Sequence, residues 1–220
     1  MRSSFINTFL TFVLDALAPG KRRRGLRRIT RPELAQKLRP RTVPEYPYAT
    51  VFFSYKDPGI KDLIWLLKYH GEKDIANDIA EVIYGALLED LSDQMLMEDL
   101  TAPLLVPIPI AKSGARRHGY NHAALIAEAL TKADGGKTLE AAPHALKKRV
   151  GVKNQAQVKN KRERFENIKG ALSVSDPKSI EGRDIIIIDD VVTTGATIAE
   201  ARRVLLGSGA RSVRALAVAH

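Results

Sequence analysis

Two adjacent carboxylates, followed closely by hydroxyls and a glycine, are the residues of this chain best suited to chemistry. Asp189 and Asp190 precede Val191, Val192, Thr193, Thr194, Gly195, Ala196 and Thr197. Thr193, Thr194 and Thr197 offer hydroxyl donors to an anion. Gly195 lets the backbone come close to that anion with no side chain between. A helical pattern begins next, with Ile198, Ala201, Val204 and Leu205 at helical spacing. The N-terminus of such a helix carries unpaired N–H groups and a partial positive charge, which suits a phosphate dianion. The acids cannot hold the phosphate, because like charges repel. They suit neighbouring sugar hydroxyls, which donate hydrogen bonds, or a metal held through water. Together these residues make a cradle for a phosphorylated sugar.

The element that must carry the acids is the run Asp184 to Asp190. Its four consecutive isoleucines, Ile185 to Ile188, read as a strand buried on both faces of a parallel sheet. Ligands of open α/β sheets bind outside the carboxyl ends of the strands, where this loop falls. An apolar strand ending in two aspartates also looks like the Walker B strand of a P-loop NTPase. That reading needs a G-x-x-x-x-G-K-[ST] loop upstream, and the sequence has none. The plainer reading is an ordinary strand and helix in which Thr193 or Thr197 caps the helix. The acids, Thr-Thr-Gly and Thr occur in the order of the phosphoribosyl diphosphate (PRPP) signature of type I phosphoribosyltransferases, which this stretch closely resembles.

A second constellation spans Val106 to Ala127. A strand ends at the turn Pro107-Ile108-Pro109, a loop carries Lys112, Arg116 and Arg117, and a helix follows. By itself this is a solvated basic loop. Paired with the acid–threonine stretch, its guanidinium and ammonium groups suit a diphosphate.

At 220 residues the chain fits one domain with an appendage. It has no cysteine, so disulfides and thiolate metal sites are excluded. The five histidines lack ligand spacing, so no zinc is expected. A net charge of +10 points to anionic partners, either phosphate-rich small molecules or nucleic acid. The charge is concentrated in Lys21 to Arg28 and between Lys147 and Lys169.

Phe5 to Leu14 is apolar, but Asn7, Thr8 and Thr11 interrupt it and it is too short to span a bilayer. An amphipathic helix that docks on the domain or a partner is expected there, with an interfacial membrane helix followed by a polybasic patch as the weaker alternative, in a cytoplasmic protein with no transmembrane segment. Residues 1–45 read as a basic N-terminal segment with that helix and a linker marked by Pro40, Pro44 and Pro47. The compact domain is expected over 46–220. Strands are expected at 49–55, 103–108 and 213–218. Helical spacing appears over 60–67, 75–86 and 121–132. This alternation predicts an α/β fold, a mostly parallel central sheet with helices on both faces.

The two constellations, with Tyr69-His-Gly and Arg164-x-x-Asn167, resemble the competence protein F family of phosphoribosyltransferase-like proteins over nearly the whole chain. The helix at 9–19 matches the family's N-terminal helix. The family's cysteine zinc finger has no counterpart, and basic residues and proline stand in its place. The family's R-G-F-N-Q corresponds to His118, Gly119, Tyr120, Asn121 and His122. Its Q-x-x-L…R-x-x-N pattern is met by Gln155, Val158, Arg164 and Asn167.

The resemblance implies a type I phosphoribosyltransferase fold and transfer of phosphoribosyl from PRPP to a nucleophile, with release of diphosphate. It places the 5′-phosphate on Val192 to Thr197 and the ribose on the catalytic pair Asp189 and Asp190. The diphosphate falls to Pro107, Ile108, Pro109, Lys112, Arg116 and Arg117, with Mg²⁺ carried by PRPP. Gly119, Tyr120, Asn121, His122 and Gln155 stand as a second-substrate loop for an acceptor that the sequence does not identify. The competing implication is a non-catalytic accessory of DNA uptake, binding single-stranded DNA or a helicase. A homodimer fits the class.

Overall fold

A computed structural model describes residues 28–70, 73–98, 102–110, 120–149 and 168–220. The isoleucine run does lie in a strand with two buried faces. Strand β7 (Asp184–Val191) sits inside a six-stranded sheet. Its other members are β1 (Arg41–Val43), β2 (Tyr46–Phe53), β3 (Leu104–Pro107), β4 (Glu140–Ala141) and β8 (Ser212–Ala219), in the order β1-β2-β8-β7-β3-β4. Every pairing is parallel except β1 with β2. Two further strands, β5 (Leu146–Lys148) and β6 (Leu172–Val174), form a separate antiparallel pair.

Side chains of β7 alternate between two cores, as a strand's period of two requires. Ile186 and Ile188 join Leu216 and Val218 in a core shared with helices α2 (Pro58–His70), α3 (Lys73–Glu98) and α4 (His122–Ala133). Ile185 and Ile187 join Val213, Ala215 and Ala217 in a core closed by α5 (Ala196–Gly207) and by Leu146 and Leu172 of the β5–β6 pair. The mostly parallel sheet with helices on both faces is as expected.

The start of the compact unit differs from expectation. Residues 40–47 were expected as a linker, with the domain opening at Tyr46. Instead Val43 is buried, and β1 forms a hairpin with β2. The prolines are compatible with this because Pro47 falls outside both pairing registers, where a missing N–H costs no ladder bond. The core reaches back further still, to Ile29 and to Leu34 of a short helix α1 (Arg31–Gln36). Thr30 and Glu33 form a capping box there, a T-x-x-E signal present in the sequence. The helix at 5–14 and most of the Lys21–Arg28 cluster lie outside the described residues. Among the described residues no helix is long and apolar enough to cross a membrane.

Candidate active site

The two acids end up at the carboxyl end of β7, facing different surroundings. Asp190 is 4% exposed, whereas Asp189 is half-buried. Lys68, in the last turn of α2, brings its Nζ to 2.9 Å from Asp190 Oδ2. His122, the first residue of α4, brings Nε2 to 3.4 Å from the same oxygen. Asp190 Oδ1 accepts the Val191 amide at 2.7 Å. Burial pushes the Asp190 carboxyl up, but Lys68 and His122 outweigh it and hold the group below the ordinary carboxylate range. Asp189 goes the other way. Desolvation, together with the adjacent Asp190 charge, raises it to about 8. The pair therefore presents one firmly ionised carboxylate beside one that holds its proton. Burial holds the ammonium of Lys148, at the end of β5, below its usual range, and ionisation of Asp189 would oppose that shift.

The loop that follows is built as the sequence suggests, with one change in who caps what. Neither Thr193 nor Thr197 is the N-cap of α5. Gly195 is, at φ 70, so the N-cap residue itself brings no side chain to the helix. This left-handed conformation strains any residue with a Cβ. Thr194 Oγ1 accepts the Ala196 amide at 3.4 Å. Thr197 lies in the first turn of α5 and Thr193 two residues before the loop's glycine, both half-buried. Val192 departs from its expected part in phosphate binding. Its amide donates to the Ala219 carbonyl at 2.9 Å and its side chain is in the core, so it anchors the loop to the sheet.

The Pro107–Pro109 turn is similarly committed. Pro107 is the last residue of β3, and the Ile108 amide donates to the Ile188 carbonyl at 2.9 Å. The Ile108 carbonyl accepts Asn121 Nδ2 at 3.0 Å. Ile108 thus ties the turn to β7 and α4 and has no amide to spare for a diphosphate. Asn121 also caps α4, with its Oδ1 accepting the Ala123 amide at 3.1 Å. Tyr120 donates its hydroxyl to the Lys68 carbonyl at 2.9 Å. The expected second-substrate residues Tyr120, Asn121 and His122 are thereby gathered at the acid pair. Lys112, Arg116, Arg117, Gly119 and Gln155 lie outside the described residues, as do His118, Val158, Arg164 and Asn167.

Four residues of the site were not singled out from the sequence. Lys68 pairs with Asp190, and Lys148 lies within electrostatic range of Asp189, each from an element distant in the chain. Tyr46 donates its hydroxyl to the Thr194 carbonyl at 2.7 Å. Glu200, on α5, accepts the Gly170 amide at 2.7 Å and is held by Arg203. That contact, with the apolar cluster Ile168, Ala171 and Ala196, fastens the segment ending at Ala171 to the start of α5. Only Lys68 had a nearby signal, since it directly precedes Tyr69-His-Gly.

A phosphoribosyl transferase domain matches residues 150–220, which include β6, β7, the threonine loop, α5 and β8. The chain is 30% identical over 158 residues to the competence protein ComFC of Bacillus subtilis, covering 71% of this chain and 57% of that one. It is 28% identical over 166 residues to the DNA utilization protein YhgH of Escherichia coli, covering 71% of this chain and 65% of that one. The chain is a homologue of these competence and DNA-utilization proteins. It spans less than two thirds of their length. A hypoxanthine phosphoribosyltransferase from Trypanosoma cruzi, solved with the product IMP, aligns with a TM-score of 0.39 at 13% identity, over 66% of this chain and 64% of that one. The mostly parallel α/β sheet and the domain match agree with the fold expected of a type I phosphoribosyltransferase.

Proposed function

We propose that the chain binds PRPP at the end of β7 and transfers its phosphoribosyl group to a nucleophile. The observation that carries this reading is the position of α5: its N-terminus opens from a left-handed Gly195 five residues beyond the buried Asp190 and its half-buried neighbour Asp189. The amides there, with the Thr193, Thr194 and Thr197 hydroxyls, would hold the 5′-phosphate. Asp190, ionised, would accept from one ribose hydroxyl, and Asp189 would complete the grip on the ribose. Cleavage at the anomeric carbon builds positive charge on the sugar and negative charge on the departing diphosphate. Fixing the ribose against the acid pair favours the first, and cationic groups near the site, such as the Lys68 and Lys148 ammoniums, would favour the second.

Magnesium fits this site as a companion of the substrate. Asp189 and Asp190 are hard oxygen donors. Among the described residues no group of three or more His, Cys, Asp or Glu forms a metal cage. The acids would hold Mg²⁺ through water, and the ion would neutralise diphosphate oxygens when bound. Calorimetry tests the reading. Mg²⁺-PRPP binding is expected in the native chain and largely lost in Asp190→Asn plus Thr194→Ala. Unchanged affinity in that double variant sinks it. Diphosphate release from PRPP, measured against a panel of nucleobases and ammonia, tests turnover and finds the acceptor.

The relatives named for competence and DNA utilization favour a second reading, in which the chain serves DNA uptake through single-stranded DNA or a helicase partner. The net charge of +10 supports it. A salt titration of single-strand binding decides. Absence of binding at low ionic strength removes this reading.

A further inference from the structure

Tyr46 belongs to the β1–β2 hairpin, yet its side chain reaches the threonine loop. Its hydroxyl donates to the Thr194 carbonyl, and its ring occupies the space beside Gly195. A Cβ on Gly195 would stand 2.0 Å from the Tyr46 ring. Glycine at this position is therefore required twice, once by its backbone angle and once by the ring. The ring is itself held. Tyr48 meets it edge to face at 5.9 Å, and the Arg202 guanidinium covers Tyr48 at 4.5 Å. Arg202 lies on α5, the helix that the loop begins, and its Nε donates to the Val213 carbonyl at 3.2 Å. The hairpin thus grips the loop and its helix at two points.

We propose that Tyr46 is a positioning residue for the 5′-phosphate of the sugar phosphate. The inference rests on the PRPP reading of this loop. A phosphate held by backbone amides needs the peptide planes fixed before it arrives, because ordering them on binding costs affinity. The peptide joining Thr194 to Gly195 carries the carbonyl that Tyr46 holds at one end and the Gly195 amide at the other. Holding the carbonyl therefore sets the direction of that N–H. The tyrosine touches no reacting atom and acts at one end of the substrate only.

That one-sidedness supplies the test. The full chain, the Tyr46→Phe variant and the Tyr46→Leu variant are titrated with ribose 5-phosphate and, separately, with magnesium diphosphate. Thermal unfolding is followed in parallel. Tyr46→Phe keeps the ring and loses the hydroxyl. It is expected to weaken ribose 5-phosphate about 5- to 10-fold, the size of one lost hydrogen bond, and to leave magnesium diphosphate unchanged. Tyr46→Leu should widen the gap between the two ligands. Equal weakening of both ligands, or none of either, overturns the proposal, since a merely structural role would not separate them. If the native chain binds neither ligand, the PRPP reading itself has failed and the role of Tyr46 falls with it.

Discussion

Lys68 Nζ lies 2.9 Å from Asp190 Oδ2, joining the last turn of α2 to the end of β7 with both side chains largely out of solvent, at 16% and 6% exposure. A pair this buried is costly to break from one side, because the remaining charge is left in a poorly solvating place. Lys68→Met should destabilise the fold by about 3 kcal/mol or more. Lys68→Met combined with Asp190→Asn should recover a large part of that loss. Urea unfolding of the single and double variants measures the coupling. Additive losses would mean that the contact carries no energy of its own.

The opposite shifts of Asp189 and Asp190 give a pH dependence with a definite sign. Asp189 has a folded pKa near 8, above its unfolded value. Its contribution to stability is present below the ordinary carboxylate range and is lost as pH rises toward 8. Asp190 is depressed, so its contribution is present above that range and lost as pH falls through its lowered folded value. Asp189→Asn removes only the first. The variant should gain stability relative to the native chain between pH 5 and about 8.5, because over most of that span Asp189 is ionised in the unfolded chain and still protonated in the folded one. Chemical denaturation in chelator at the two pH values checks this. A constant difference would show that Asp189 does not titrate there.

Gly195→Ala separates backbone strain from collision. The left-handed angle alone costs an alanine about 1–2 kcal/mol. The overlap with the Tyr46 ring adds to that in the native background. In a Tyr46→Ala background the ring is gone and the backbone part should remain alone. The cost of Gly195→Ala is therefore expected to be at least twice as large with Tyr46 present, by thermal or urea unfolding. Equal costs in the two backgrounds would mean that the loop shifts away from the ring.

How far the site could be read from the chain follows from how local its signals are. The isoleucine run, the acids at its end and the glycine before α5 lie within one short stretch, and each keeps its place in the structure. Asn121 was placed at the start of a helix, and it is the N-cap of α4. Lys148 and Tyr46 left no such trace, and Lys68 left only its place before Tyr69-His-Gly. A lone lysine on a helix or strand, or a tyrosine before a proline, becomes part of a site only when the fold brings α2, β5 and the hairpin to the end of β7. Residues 40–47 misled for a related reason. Proline argues against a paired strand, but Pro47 lies where neither neighbour pairs with it. Val192 and Ile108 were assigned to ligand by position in a motif, whereas their amides complete the sheet.

Glu200 makes the last contact that the sequence did not show, and it ties the segment around Gly170 to α5. Its carboxylate is 4% exposed, accepts the Gly170 amide at 2.7 Å and accepts Arg203 Nε at 2.8 Å. Burial raises the group, but Arg203 and the Gly170 amide outweigh it and hold it below the ordinary range. Glu200→Ala leaves the Gly170 amide without its acceptor, at a cost of about 1–3 kcal/mol. Glu200→Gln keeps an acceptor oxygen and should cost less. Hydrogen exchange locates the effect. The Gly170 amide should exchange faster in Glu200→Ala and stay close to native in Glu200→Gln, while the amides of β8 change little in either. In the native chain the Gly170 amide should also lose protection as pH falls through the lowered pKa of Glu200, because a protonated carboxyl accepts more weakly and releases Arg203. Unchanged Gly170 exchange in Glu200→Ala would mean that Ile168 and Ala171, packed on Ala196, hold the segment to α5 by themselves.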